Sequence, residues 1–171
     1  MLGDTAVAVN PKDKRYKNLV SKNVILPIVE KKIKIIADDY ADPEQGTGAV
    51  KITPAHDFND YEVGIRNKLE IINIFTEDGK INKNAPSEYV GLDRFEARKK
   101  IISELKNKNL FVKDEDIKNK VPYGDRSNSI IEPYLTEQWF ADAKKLSNKA
   151  KKIVKSKKTN FFPTNWSKTY F

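Results

Sequence analysis

The sequence of 171 residues predicts an α+β domain with a mixed or barrel-like sheet and flanking helices. Two observations lead to this fold class. Short apolar or alternating runs, closed by proline, glycine or charged residues, are scattered through the first two thirds of the chain and indicate strands. Two other segments, which start at Asp57 and Asp93, combine a capping residue with apolar side chains at helical spacing.

The first part of the chain contains three predicted strands. Met1–Asn10 alternates small and β-branched residues up to Pro11, and the apolar runs Val24–Ile28 and Ile33–Ala37 suggest paired strands joined by a charged turn. The polar segment Asp13–Leu19 predicts a short helix or turn. Residues 38–45, DDYADPEQ, are rich in carboxylates but lack the spacing of a calcium loop. We therefore interpret them as a solvated loop and expect no metal site.

The stretch GTGAVKITPAHDFNDY, residues 46–61, has a composition unlike its surroundings and predicts a strand that leads into a helix. Pro54 ends the strand, Asp57 is a natural N-cap, and Asp60 falls in the first helical turn. Tyr61, Ile65 and Leu69 form an apolar stripe along the helix. The two carboxylates therefore share one helix face, where the helix N-terminus favours their ionised forms.

A small polar pocket can be built from this stretch. Lys51 and Thr53 point to the same side of the strand and could converge with Asp57 and Asp60, in an arrangement suited to a small polar amine. The alternative is a purely structural role, in which both carboxylates only cap the helix and Lys51 lies in solvent. The pattern alone does not choose between these interpretations.

The rest of the chain contains further strands and helices. We predict strands at Glu70–Phe75 and Leu110–Val112, a turn at Asp78-Gly79, and a loop over Asn82–Leu92. The Asp93 helix runs to about Asn107 with an apolar face of Phe95, Ile101, Ile102 and Leu105. Its basic side chains, Arg94, Arg98, Lys99 and Lys100, are either solvated or contact phosphate. A lysine-rich helix follows at about 141–156, with Leu146, Ala150, Ile153 and Val154 facing inward.

Composition excludes several kinds of function. Cysteine is absent and His56 is the single histidine, which excludes thiolate chemistry and a histidine metal cluster. The net charge of +8 permits a nucleic-acid partner, although a solvated lysine-rich surface explains it equally well. No P-loop, GxGxxG or HIGH-type motif occurs, so amino-acid activation is not expected in this chain. Without a leader or an apolar span, we expect a soluble cytoplasmic protein.

Three segments together resemble the editing insertion of valyl-tRNA synthetases. They are the stretch at 46–61, MLGDTAVAVNPKDKRY at the N-terminus, and NAPSEYVGLDRFEARKKI at 84–101. The resemblance implies the compact barrel of class I editing domains over residues 1–118. It also implies that residues 119–171, which include VPYGDRSNSIIEPYLTEQWF, lead back towards a catalytic domain. In that family the first strand follows a segment of the type TTRPET that completes the pocket.

The resemblance also implies a reaction, which is hydrolysis of threonine wrongly esterified to valine tRNA. Asp60 would bind the α-ammonium group, with Asp57 beside it, and Lys51 and Thr53 would meet the threonine hydroxyl. Gln45 stands where the family usually has a pocket-side phenylalanine, Thr47 lies between two glycines, and His56 orders the turn. The implied partners are threonyl-tRNA and the rest of the synthetase, with no membrane. No cofactor is expected here, whereas the whole synthetase would use ATP and magnesium.

The expected mechanism is ester hydrolysis by a positioned water without a protein nucleophile. Selectivity would come from polar groups that valine leaves unpaired. Two other functions remain open: a tRNA-binding module without hydrolytic activity, or a structural piece of a synthetase.

Overall fold

The computed structural model describes residues 1–116, 118 and 120–170, and these residues form two compact units. The first unit runs from Met1 to Leu135, and the second begins at Thr136. The sequence predicted a boundary between residues 118 and 119, next to positions 117 and 119, which lie outside the described residues. The segment before Leu135 belongs to the first unit because its backbone is held there by side chains of that unit, as shown below.

A mixed sheet forms the centre of the first unit. Its strands are β1 (Ala6–Val9), β2 (Asn23–Ile25), β3 (Lys32–Ala37) and β4 (Ala49–Ile52), in the order β2-β3-β1-β4. β1 pairs in parallel with β3 and antiparallel with β4, and β2 pairs antiparallel with β3. The mixed sheet is confirmed. The predicted barrel is not, because among the described strands β2 and β4 remain edges and the sheet is open.

The sequence explains why β1 and β3 occupy the middle of this sheet. β1 is almost entirely buried, and its small residues allow neighbours to approach both faces. In β3, lysines alternate with buried isoleucines, so one face meets water. β2 ends at Ile25, earlier than the predicted Ile28, because Pro27 has no N–H for the ladder and Ile28 adopts a positive φ of 70°.

Two helices belong to the first unit, and the first of them packs against β4. α1 (Phe58–Arg66) begins at the predicted cap Asp57, and α2 (Arg94–Asn107) begins at the predicted cap Asp93, whose side chain accepts from Phe95 N. The predicted α1 stripe is wrong at Ile65, which is 52% exposed. The buried face instead contains Asp60, Val63 and Gly64. Gly64 is required there, because a Cβ would come within 2.8 Å of the Pro54 ring.

The core of the first unit consists of two clusters of buried side chains. One lies between the sheet and α1 and contains Ala6, Ala8, Ala41, Ile52 and Val63. The other contains Leu2, Ile74, Ile81, Ala85, Tyr89 and Ala97. In α2 only Ala97 is buried among the described residues, while Phe95 of the predicted apolar face is 38% exposed.

Two of the predicted strands are wrong. Glu70–Phe75 is extended backbone that meets Ile81 at an isolated bridge. Part of its backbone bonds to side chains instead of a ladder, since the Asn82 and Asn84 amides both donate to Asn73 O. Leu110–Val112 is also irregular, and Val112 is 90% exposed. Apolar composition alone was a poor guide in both segments.

The second unit contains the predicted basic helix, α3 (Ala143–Lys155), capped by Asp142. A 3₁₀ turn at Thr164–Trp166 and a short helix α4 (Ser167–Tyr170) follow it. None of the described α3 residues is buried, so the inward face predicted for Leu146 and Ile153 is exposed in this structure. No helix in the described part of the chain is long and apolar enough to cross a membrane.

An ion-pair cluster joins the loop after β3 to the end of α1. Asp38 accepts two hydrogen bonds from the Arg66 guanidinium, at 2.9 and 2.7 Å, and one from the Asn67 amide at 2.8 Å. The hydrogen bonds from Arg66 lower the pKa of Asp38 from 3.8 to about 2, although burial opposes them. The ionised carboxylate is therefore a structural link between loop and helix.

We expect Asp38→Asn to lower the free energy of unfolding at pH 7 by about 2 kcal/mol, because a lowered pKa measures the stability that the ionised form adds. The wild-type chain should lose this stability as pH falls from about 4 to about 2, whereas the variant should not. Urea unfolding at pH 7 and pH 3 measures both effects. Asp39→Asn, at the exposed neighbouring carboxylate, is the matched control; an equal loss in both variants would contradict the prediction.

Candidate functional site

The site is organised around the Asp60 carboxylate in the first turn of α1. Asp60 is only 2% exposed, and its Oδ2 accepts hydrogen bonds from Thr53 N at 2.9 Å and from Lys51 Nζ at 2.8 Å. The structure therefore brings together three of the predicted site residues. They meet because Thr53 directly follows β4, two residues after Lys51, and Pro54–Asp57 then leads the chain into α1.

Lys51 and Asp60 form an ion pair at the centre of the site. Burial alone would lower the pKa of the Lys51 ammonium, but the hydrogen bond and charge of Asp60 outweigh it and raise the pKa above 10.5. We expected Lys51 to be free for a substrate hydroxyl, and instead it is paired with Asp60. Both contacts use Oδ2, so Asp60 Oδ1 accepts no hydrogen bond from the residues described here.

Asp57 has the role expected of a helix cap. Its Oδ1 accepts from Asn59 N at 2.8 Å and from Asp60 N at 3.0 Å. The cap fixes the first turn of α1 and thereby the backbone from which the Asp60 side chain extends. The structural interpretation thus describes Asp57 well, while Asp60 bonds to the strand rather than to its own helix.

A second buried carboxylate lies behind Thr53 and was missed by the sequence reasoning. Thr53 is 5% exposed, and its Oγ1 donates to Asp4 Oδ1 at 2.5 Å. The hydroxyl predicted to face a substrate therefore already has a partner inside the fold. Asp4 stands just before β1 and is 49 positions away from Thr53, so no local pattern revealed the contact.

His56 orders its surroundings, and both of its ring nitrogens are occupied. Nε2 accepts from Ile74 N at 3.0 Å, which leaves the proton on Nδ1 to be donated to Pro133 O at 3.3 Å. Phe75 packs against the imidazole with ring centroids 4.6 Å apart. Burial lowers the pKa of His56 below 6.5, despite the opposing hydrogen bond to Pro133. The ring is consequently neutral and holds two segments together.

Gln45 and Thr47 lie on the loop before β4, and both side chains are exposed. The loop is braced from the N-terminal segment, because Tyr16 OH donates to Thr47 O at 2.7 Å and Arg15 Nη2 donates to Pro43 O at 2.8 Å. Gly48, with a φ of 77°, leaves room for the Arg15 guanidinium. No described contact joins Gln45 or Thr47 to Asp60, so their binding roles stay predictions.

Arg94, at the start of α2, holds the segment before Leu135. Its Nη2 donates to Ile130 O at 3.0 Å and its Nε lies 3.0 Å from Glu132 Oε1. A cavity of about 420 Å³ is lined by Phe75, Arg94 and residues 129–134. None of the predicted site residues lines it, so we place the candidate site at Asp60. Among the described residues, no cluster of three or more His, Cys, Asp or Glu side chains could hold a metal ion.

The open mixed sheet with its flanking helices agrees with the class of synthetase editing domains. Residues 7–109 match the family model described as leucyl-tRNA synthetase, editing domain. The match covers more than half of the chain, and the chain belongs to this family. The resemblance found in the sequence is confirmed at this level.

The relatives of this chain are valine–tRNA ligases. It is 81% identical over all of its 171 residues to the valine–tRNA ligase of Pelagibacter ubique strain HTCC1062, where it covers 20% of that protein. The enzymes of Caulobacter vibrioides and Francisella tularensis are 57% and 53% identical over the same length, and the chain covers 19% of each. The chain thus spans about a fifth of the length of these relatives.

We expect Thr53→Val to lower the free energy of unfolding by about 1 to 3 kcal/mol, because the buried Asp4 carboxylate loses its hydroxyl donor. Thr53→Ser retains the hydroxyl and is the matched control, with a smaller loss. Urea unfolding at pH 7 measures the difference. A valine variant as stable as the serine variant would show that the Asp4 contact adds nothing.

We expect the pKa of His56 in the folded chain to lie below 6.5, its ordinary value, because burial disfavours the charged imidazolium. Protonation would also break the bond from Ile74 N. A lowered histidine pKa adds stability above pH 6.5 that is lost as pH falls through the folded-state value. The chain has one histidine, so an NMR titration of its ring protons needs no assignment of other imidazoles. A pKa at or above 6.5 would refute the neutral, doubly bonded imidazole.

Proposed function

We propose that this chain is the editing domain of a valine–tRNA ligase and hydrolyses threonine esterified to valine tRNA. The membership in the editing-domain family and the whole-length similarity to valine–tRNA ligases support the assignment. The single observation that carries the mechanism is the Asp60 carboxylate. It is buried and fixed through Oδ2, and its Oδ1 has no partner among the described residues.

Asp60 Oδ1 receives the α-ammonium group of the aminoacyl ester. A charge-assisted hydrogen bond at a nearly buried carboxylate is strong, and it fixes the ester relative to α1. Asp57 contributes by holding the helix turn and by adding negative charge close to Lys51. Lys51 holds the Asp60 carboxylate in an ion pair until substrate arrives, and its half-exposed side chain then reaches the threonine hydroxyl.

Water carries out the chemical step. Its oxygen attacks the ester carbonyl carbon, the bond from that carbon to the ribose oxygen breaks, and the proton lost by the water ends on the released ribose hydroxyl. The products are threonine and tRNA with a free terminal hydroxyl. Positioning of the ester by Asp60, Lys51 and the loop of Gln45 and Thr47 supplies the main catalytic effect. His56 contributes indirectly, since its ring nitrogens are bonded to backbone groups.

Selectivity between threonine and valine follows from hydrogen bonding. Lys51 lies 56% exposed beside the site and gains a partner from the threonine hydroxyl, whereas a valine methyl offers none. Valyl-tRNA is therefore hydrolysed more slowly. We place the reaction in the cytoplasm, with ATP and magnesium used elsewhere in the ligase and no cofactor at this site.

A second candidate function is tRNA binding without hydrolysis. It is favoured by α3, on which Lys144, Lys145, Lys149, Lys151 and Lys152 are all exposed. A row of lysines attracts phosphates regardless of base sequence, and such binding weakens steeply with salt. Binding of threonyl-tRNA without its deacylation would support this function over editing.

We expect Asp60→Asn to slow threonyl-tRNA deacylation by two orders of magnitude or more, since losing a charged contact to a buried ammonium costs on the order of 2 to 5 kcal/mol. The assay compares release of threonine and valine from the matching aminoacyl-tRNAs. We would use this chain and a chimera in which it replaces the matching segment of the Pelagibacter ubique ligase, with which it shares 81% identity.

Glu62→Gln is the matched control, because it removes one exposed carboxylate from the same helix. Asp60→Ala tests the loss of shape as well as charge. Thermal unfolding of each variant separates loss of activity from loss of fold. Deacylation by Asp60→Asn at the rate of Glu62→Gln would remove Asp60 from the site.

A further inference from the structure

Asp4 is a second buried carboxylate beside the site, and its side chain is 4% exposed. Its backbone is held at the end of β4. Asp4 N donates to Met1 O at 3.1 Å, and the next residue, Thr5, donates its N–H to Ile52 O at 2.9 Å. Ile52 is the last residue of β4, so Asp4 lies next to the point where Thr53 follows the strand.

Two hydrogen bonds connect Asp4 to Asp60 through a single residue. Thr53 donates its hydroxyl to Asp4 Oδ1 at 2.5 Å and its backbone N–H to Asp60 Oδ2 at 2.9 Å. The amino group of Met1 also lies 3.2 Å from Asp4 Oδ1. Asp4, Thr53 and Asp60 are all buried, so little water competes for the bonds between them.

The bond from Thr53 N is the more rigid of the two contacts that fix Asp60 Oδ2. The other donor, Lys51 Nζ, ends a flexible side chain that is 56% exposed. Thr53 N belongs to the backbone, and its position depends on how Thr53 is held. The Thr53 carbonyl accepts from His56 N at 3.1 Å, and the Thr53 hydroxyl is tied to Asp4. Because a carboxylate is planar and rigid, donors on Oδ2 also limit where Asp60 Oδ1 can lie.

We propose that Asp4 is a positioning residue of the editing site. By accepting the Thr53 hydroxyl, it holds Thr53 N on Asp60 Oδ2 and so aims Asp60 Oδ1 at the α-ammonium group of the aminoacyl ester. This inference rests on the proposed editing function. Asp4 acts through Thr53 and needs no contact with the ester. It should affect kcat more than KM, because a slightly displaced Asp60 carboxylate still attracts the ammonium group but holds the ester out of line with the water.

A purely structural role for Asp4 leads to a different expectation. Loss of one partner leaves the other polar group buried and unpaired, which destabilises the fold, whereas replacing both partners by apolar groups removes this penalty. A structural contact would therefore regain stability and activity together when both residues are changed. A positioning contact would regain stability alone, since two apolar side chains form no directional bond to hold the backbone N–H at position 53.

The test uses the Pelagibacter ubique chimera and measures kcat and KM for threonyl-tRNA deacylation, together with thermal unfolding of each variant. We expect Asp4→Leu to lower kcat about tenfold or more, with KM changed less than about threefold. Asp4→Asn retains a carbonyl acceptor for the Thr53 hydroxyl and should keep kcat within about threefold of wild type. The double variant Asp4→Leu/Thr53→Val should recover stability but keep the low kcat, and Thr53→Val alone should lower kcat equally.

Asp38→Asn is the matched control. It removes the charge of another buried carboxylate in the same unit, which is bonded to Arg66 at the opposite end of α1. The control should be less stable than wild type, with kcat within about twofold.

Four results would overturn the proposal. Folded Asp4→Leu with the kcat of Asp38→Asn, in a chimera that Asp60→Asn inactivates, removes Asp4 from the site and leaves the editing function intact. Asp4→Asn as impaired as Asp4→Leu shows that charge matters instead of the bond to Thr53. Recovery of kcat in the double variant shows a structural contact only, and this comparison decides even if Asp4→Leu does not fold. A wild-type chimera without threonyl-tRNA deacylation overturns both this inference and the proposed function.

Discussion

The Asp60 carboxylate is the interaction on which the first unit and its site both depend. A nearly buried charge is tolerated only when hydrogen-bond partners replace its lost water, and Asp60 finds them in Thr53 N and Lys51 Nζ. Lys51 lies on β4 and Thr53 directly follows it, so satisfying the charge also fixes α1 against the end of this strand. The same geometry leaves Oδ1 without a hydrogen-bond partner among the described residues. Structural and functional demands thus meet on one side chain, which makes the milder Asp60→Asn variant more informative than truncation.

Two further buried carboxylates connect distant parts of the same unit. Asp38 ties the loop after β3 to Arg66 at the end of α1, and Asp4 bonds the Thr53 hydroxyl. The packing explains why charged links are prominent, because the sheet-facing cluster is built largely from alanines and offers little apolar area. Ionic anchors are sensitive to the loss of either partner, since the remaining charge is left buried. This unit should therefore lose stability in acid as Asp38 becomes protonated.

The sequence predicted correctly those features that depend on residues close together in the chain. Both helix caps, Asp57 and Asp93, follow from short-range side-chain to backbone bonds. Lys51 and Asp60 are only nine positions apart, on a strand and the helix that follows it, so their meeting is also a local feature. The strand predicted at Glu70–Phe75 is wrong, and asparagine and histidine side chains take part of the backbone bonding that a ladder would use. The contact of Asp4 with Thr53 lies beyond any periodic pattern, because the two residues are 49 positions apart. The sheet is open because β2 and β4 do not pair with each other. The alternation of apolar residues predicts strands but not their pairing partners.

Two adjacent residues divide the structural tasks around the site. Asp57 faces the helix and caps it, while His56 faces the other way and joins Ile74 to Pro133. The turn between them and β4 is closed by the bond from His56 N to Thr53 O at 3.1 Å. One short turn therefore makes two contacts. Thr53 N donates to the Asp60 carboxylate, and the His56 ring bonds to Pro133 in the segment before Leu135. A neutral imidazole suits this position, since it is a donor and an acceptor at once, whereas its protonated form would offer two donors and lose the Ile74 contact.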